Sequence, residues 1–117
     1  MVKYECLDVK EKNNVTVAKL CDPRIIENQR IKVLGRELSR LVEIDQCKKM
    51  LLDFSTVDFL GSAALSNLLI LASTARKHEC IIKFCSVRPE IQQVFSLTKL
   101  NALFDIEEDE TGALASF

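Results

Sequence analysis

The chain has 117 residues, 48% hydrophobic and 28% charged, with a formal net charge of -1, the balance of a folded globular protein and not of a disordered or fibrous one. That length fits one domain, and near-neutral charge without a basic run interleaved with aromatics argues against a nucleic-acid partner. No apolar run approaches the ~20 residues that span a bilayer and the opening MVKYECLDVKEKNN lacks a secretory apolar region, so a cytoplasmic protein with no membrane partner is expected.

Residues from about Tyr4 to Lys10 and from Val15 to Leu20 alternate apolar and polar as half-buried strands do, with turn chemistry in Glu11-Lys12-Asn13-Asn14 between them. They predict an opening antiparallel hairpin. The run CDPRIIENQRIKVLGRELSRLVEI then sets Ile31, Leu34, Leu38, Leu41 and Val42 at helical spacing, one stripe facing a core. Asp22 before Pro23 fits a cap followed by proline at the first helical position, with a start nearer Glu27 as the alternative. Gly35 interrupts the pattern at a cost of about 1 kcal/mol relative to alanine.

KKMLLDF is a short continuous apolar run, as expected of a central strand covered on both faces. From Ser62 to Lys77 a helix is predicted with Leu65, Leu68, Leu69 and Ala72 on one face; Ile70 and Leu71 leave the opposite face apolar too, a surplus that asks for a second contact, such as a partner or another copy of the chain. CIIKFCSV reads as a further strand, PEIQQVFSLTKL as a short helix opening on Pro89, and ALFDI as a last strand before the acidic Glu107 to Glu110 and a terminal helical turn. The order predicts an α/β fold: one domain over 1–117, core about 4–106, with a mixed sheet of four to five strands, an antiparallel amino-terminal hairpin and helices packed against it.

Chemistry-bearing residues are sparse. The five cysteines are widely spaced and form no C-x-x-C pair, which suggests neither a disulfide framework nor a metal site and leaves inert, mostly buried thiols. His78, the one histidine, sits at the polar end of the second predicted helix, where it suits the carboxyl terminus. Asp53 and Asp58 flank a turn, where aspartate bonds nearby amides. The three glycines are isolated, so neither a phosphate-cradling loop nor a dinucleotide fingerprint is present. No catalytic residue and no cofactor is expected, and the chain reads as a non-enzyme.

DFSTVDFLGSAALSNLL places one hydroxyl, Ser62, at the joint between a turn and an apolar helix. Spacing alone allows two roles: a helix cap worth ~1 kcal/mol, or a switch in which a phosphate puts about two negative charges on an apolar patch. The run from LLDF to LFDI resembles the STAS domain of bacterial anti-sigma factor antagonists, in which an apolar strand, an aspartate and a short turn lead to Asp-Ser-Ser-Gly-Leu opening a helix. VRPEIQQVFSLTKLNALFDI is similar to the second signature of that family, a Pro-initiated helix ending in Leu-Thr-x-Leu and followed by a Phe-x-Ile strand.

The resemblance implies a single regulatory domain that binds an anti-sigma factor with serine protein kinase activity, frees the sigma factor it held, and is switched off when that kinase phosphorylates it. It puts Ser62 on the phosphoacceptor and Asp53 on the aspartate closing the central strand, with Asp58 in the variable turn and Asp22 in the loop before the first helix. Gly61, Ala63 and Ala64 complete the implied partner surface, Gly61-Ser62-Ala63-Ala64 standing where the family commonly has Asp-Ser-Ser-Gly. The alternatives are an unphosphorylated scaffold, possible as a homodimer through Ile70 and Leu71, and a module binding a small ligand or using a thiol.

Overall fold

A computed structural model describes residues 4–117. The hairpin forms as expected: β1 (Leu7–Lys12) runs antiparallel to β2 (Val15–Leu20), and Asn13 and Asn14 between them are both left-handed, with φ of 53° and 64°, the two-residue turn whose twist suits a hairpin. The first strand starts later than the alternation predicts. The amides of Glu5 and Cys6 donate to the Glu37 carboxylate at 2.6 and 2.8 Å, which draws this segment toward the first helix.

Helix α1 (Asn28–Glu43) buries Ile31, Leu34, Leu38, Leu41 and Val42, the predicted stripe. Its cap is Glu27, not Asp22 before Pro23. Asp22 instead meets Arg30 in a two-pronged ion pair, at 2.8 Å to Nη2 and 3.0 Å to Nε. The intervening residues form a two-residue strand, β3 (Arg24–Ile25), paired in parallel with β5 (Phe59–Leu60). Strands this short leave no periodic signal.

β4 (Lys49–Asp53) is the central strand of the main sheet, whose order is β1-β2-β4-β6-β7. Every step after the hairpin is parallel, to β6 (Ile81–Cys85) and β7 (Asp105–Glu107). Because the steps from β2 to β4, β6 and β7 all go one way, right-handed crossovers set their helices on one face. That face holds Ala18, Leu20, Met50, Leu52, Ile82 and Phe84, buried beneath α1, α2 (Ser62–Lys77) and α3 (Pro89–Leu97). Phe84 lies at its centre, 4.3 to 5.5 Å between ring centroids from Phe54, Phe95 and Phe104.

The phase of α2 differs from the prediction. Its buried residues are Ala64, Leu68, Leu71 and Ala75, while Leu69 and Ile70 are 46% and 58% exposed. A helix apolar on both sides gives its periodicity no way to choose a face; a tertiary contact fixes it. Asn67 lies over Gly35, where a Cβ would stand 3.0 Å from its Oδ1, and Asn67 Nδ2 donates to the Ile31 carbonyl at 2.8 Å. The glycine that weakens α1 thus admits α2.

On the other face, Val15, Val17, Leu51 and Cys85 are covered by α4 (Glu110–Ser116) through the fully buried Ala113. Lys83 is buried there and donates to the carbonyl and hydroxyl of Ser116, both at 2.9 Å. The terminal segment read as an acidic run and a helical turn is therefore the cover of the second face. No helix among the described residues is long and apolar enough to cross a membrane.

Candidate functional site

The small β3-β5 sheet controls how the chain enters α2. The Pro23 carbonyl accepts the amides of Asp58 and Phe59 at 2.8 and 3.2 Å, and the Ile25 carbonyl accepts the Gly61 amide at 2.9 Å. Gly61 is the residue capping α2, in extended conformation and without a side-chain bond. A Cβ at position 61 would come 3.3 Å from the Ile25 carbonyl oxygen and 3.5 Å from Ile26 Cγ2, so a small residue suits this approach.

Ser62 is consequently the first helical residue and not the cap. Its side chain makes no capping bond and it is exposed, which removes the first of the two roles open to it. The described residues offer no acceptor for the Ser62 and Ala63 amides, and no acidic residue stands in the first turn. The positive end of the helix dipole is left uncompensated at this hydroxyl.

The surface beside Ser62 includes apolar residues, though not the predicted set. Ala63 is exposed and Gly61 half-buried, but Ala64 is 2% exposed and packs into the core; this corrects its assignment to the partner surface, since residue 64 already lies on the inner side of the helix. Ile26 and Phe59, at 48% and 44% exposure, take its place. The Arg24 guanidinium sits 5.1 Å from the centre of the Phe59 ring. No periodic pattern marks either apolar residue: Phe59 precedes Gly61 by two residues, and the pairing between β3 and β5 brings Ile26 beside it.

The three aspartates divide. Asp58 is exposed beside Phe59. Asp53 closes β4 half-buried, its Oδ1 accepting the Ser55 amide at 2.8 Å, an aspartate turn as the sequence suggests. Asp22 has its carboxylate occupied by Arg30 and fastens the loop before β3 to α1. The self-association face read from Ile70 and Leu71 also changes, because Leu71 is buried and the exposed pair is Leu69 and Ile70.

This fold is found in known proteins. The family model of the STAS domain matches residues 8–113: the chain belongs to the STAS domain family. A sequence relative is BtrV of Bordetella bronchiseptica, whose name places it among the anti-sigma factor antagonists, 23% identical over 97 residues and covering 83% of each chain. Among solved structures, an anti-sigma-factor antagonist (STAS) domain protein from Planctomyces limnophilus superposes with a TM-score of 0.81 at 19% identity, over 94% of this chain and 95% of that one. SpoIIAA of Bacillus, a cell fate determinant solved in its phosphorylated form, superposes with a TM-score of 0.72 at 11% identity, over 95% of this chain and 99% of the other.

Proposed function

We propose that this chain is an anti-sigma factor antagonist that docks on an anti-sigma factor through the surface around Ser62, and that phosphorylation of Ser62 by that partner's serine kinase activity ends the docking. The observation carrying the proposal is the exposed Ser62 hydroxyl at the first position of α2, engaged in no capping bond and flanked by exposed Ala63, Ile26 and Phe59. The names of the relatives support the same reading.

The physical sequence is short. The unmodified surface offers apolar area whose burial against a partner is favourable at roughly 25 cal/mol per Å². Transfer of the γ-phosphoryl group of ATP to Ser62 Oγ, with loss of the hydroxyl proton, adds about two negative charges to the middle of that area. The free amides of the first turn and the helix dipole stabilise the phosphate in the unbound protein, whereas a docked partner must strip water from it without supplying compensation. In this scheme the chain performs no catalysis; the kinase does.

The test compares binding of the serine-kinase anti-sigma factor to the wild type, Ser62→Ala and Ser62→Asp. Wild type and Ser62→Ala should bind alike and Ser62→Asp at least about tenfold more weakly, a difference of about 1.4 kcal/mol. Equal affinity of all three contradicts the proposal.

A further inference from the structure

Cys47 and Cys80 are 33 residues apart in sequence, yet their sulfurs lie 3.7 Å from each other. Topology brings them together. α1 and α2 are each followed by a left-handed residue, Gln46 (φ 52°) and Glu79 (φ 55°), and each cysteine comes next, just before its strand. β4 and β6 are parallel neighbours with Lys49 opposite Ile81, so the two helix-to-strand corners stand side by side.

The corners are held by backbone bonds. Cys47 N–H donates to the Leu41 carbonyl at 3.0 Å, Cys80 N–H to the Ala75 carbonyl at 2.9 Å, and Ile81 N–H to the Lys48 carbonyl at 2.8 Å. The sulfurs must close from 3.7 Å to the bonded distance of about 2.05 Å.

We propose that Cys47 and Cys80 form an intramolecular disulfide when the protein meets a hydroperoxide, Cys47 attacking the oxidant and Cys80 resolving. Cys47 suits the first step because it is half-buried and lines a surface recess of about 610 Å³, whose charged residues are Lys10, Lys48 and Lys49 together with Glu11 and Asp45. The Cys80 thiol beside it, joined by Thr16 and Lys48, holds Cys47 below the usual thiol value despite burial and Asp45. Cys80 is 8% exposed and is raised, first by its contact with Cys47 and then by burial, so it keeps its proton while Cys47 is the thiolate.

The Cys47 thiolate attacks an oxygen of the hydroperoxide; the O–O bond breaks, an alcohol or water leaves, and Cys47 becomes a sulfenic acid. The Cys80 sulfur then attacks the Cys47 sulfur, the S–O bond breaks, the S–S bond forms, and the thiol proton departs with the hydroxyl as water. Two thiols are oxidised and one peroxide is reduced. The remaining cysteines lack this pairing: burial pushes Cys6 and Cys85 up to about 11, and Cys21, though exposed, has no partner sulfur among the described residues. The bond would sit at the far end of α2 from Ser62, about 24 Å along a 16-residue helix at 1.5 Å per residue, and is independent of the proposed switch.

The full chain, reduced and freed of reductant, is exposed to hydrogen peroxide, then denatured and alkylated. The wild type should lose two of its five thiols as a monomer, yield a linked Cys47–Cys80 peptide, regain both thiols with reductant, and melt at a higher temperature when oxidised, since the crosslink constrains the unfolded chain. Cys47→Ser should keep all of its thiols, and Cys80→Ala should stop at a Cys47 sulfenic acid trapped by dimedone. Retention of all five wild-type thiols overturns the proposal, as does their loss into a dimer linked through Cys21. Should Cys80→Ala fail to fold by circular dichroism, the wild-type peptide map decides.

Discussion

At its carboxyl end α2 carries Arg76 and Lys77 in the last turn and closes through Glu79, with the Cys80 amide bonded back to the Ala75 carbonyl at 2.9 Å. At that end Lys48 Nζ donates to the His78 carbonyl at 3.0 Å. At its amino end the same helix has a glycine cap, no side-chain bond and no acid in the first turn. One end is finished and the other is not. A glycine cap forgoes only about a few tenths of a kcal/mol relative to a side-chain cap, and what it leaves is an open place for an anion beside a reachable hydroxyl.

The largest effect tests what holds the two ends in place. Leu68→Ala, midway along the buried face of α2, should cost about 2–5 kcal/mol by urea unfolding; a loss below about 1 kcal/mol would mean that the helix is not seated as described. Next, Phe59→Ala should weaken anti-sigma factor binding at least about tenfold, or 1.4 kcal/mol, because exposed aromatics commonly anchor interfaces. Its stability should hardly move, and unchanged binding would remove β5 from the docking surface.

A matched pair of substitutions then isolates the cap. Asp109 does cap α4, its Oδ1 accepting the Gly112 amide at 2.8 Å, so Asp109→Ala should cost about 1 kcal/mol. Ser62→Ala, which removes no capping bond, should stay within about 0.5 kcal/mol of wild type. A cost at Ser62 equal to that at Asp109 would restore the capping role. The corner that follows α1 has its own reporter in Tyr4, the chain's one tyrosine, which donates to Asp45 at 2.6 Å. Burial and the Asp45 contact push it up to about 12 from 10.0, so tyrosinate absorbance should appear near pH 12. The raised value favours the neutral phenol in the fold; its contribution is complete below pH 10 and disappears as pH rises through about 12. Ionisation near 10 would mean that the Tyr4–Asp45 contact is not formed in solution.

The sequence was informative where each residue's environment is local. The α1 stripe from Ile31 to Val42 could be read because the opposite side of that helix is charged, and the hairpin because Asn13-Asn14 is a turn by composition. The rotation of α2 was hidden, since Leu65, Leu69 and Ile70 are as apolar as the residues it buries; the Gly35–Asn67 contact that fixes it is visible only in three dimensions. β3 and β5 are too short to show a period, and with them Ile26 and Phe59 went unseen. Ser62 was legible through the resemblance, but its freedom from capping depended on Gly61 standing one residue earlier in the helix frame. Cys47 and Cys80 looked unrelated because their proximity follows from the adjacency of β4 and β6, not from spacing.

The central claim concerns one oxygen. Incubation of the full chain with ATP and its serine-kinase anti-sigma factor, followed by peptide mass mapping, should place a single phosphoryl group on Ser62. Phosphate on the neighbouring Ser55 or Ser66, or none at all while the protein binds the kinase, would contradict the account.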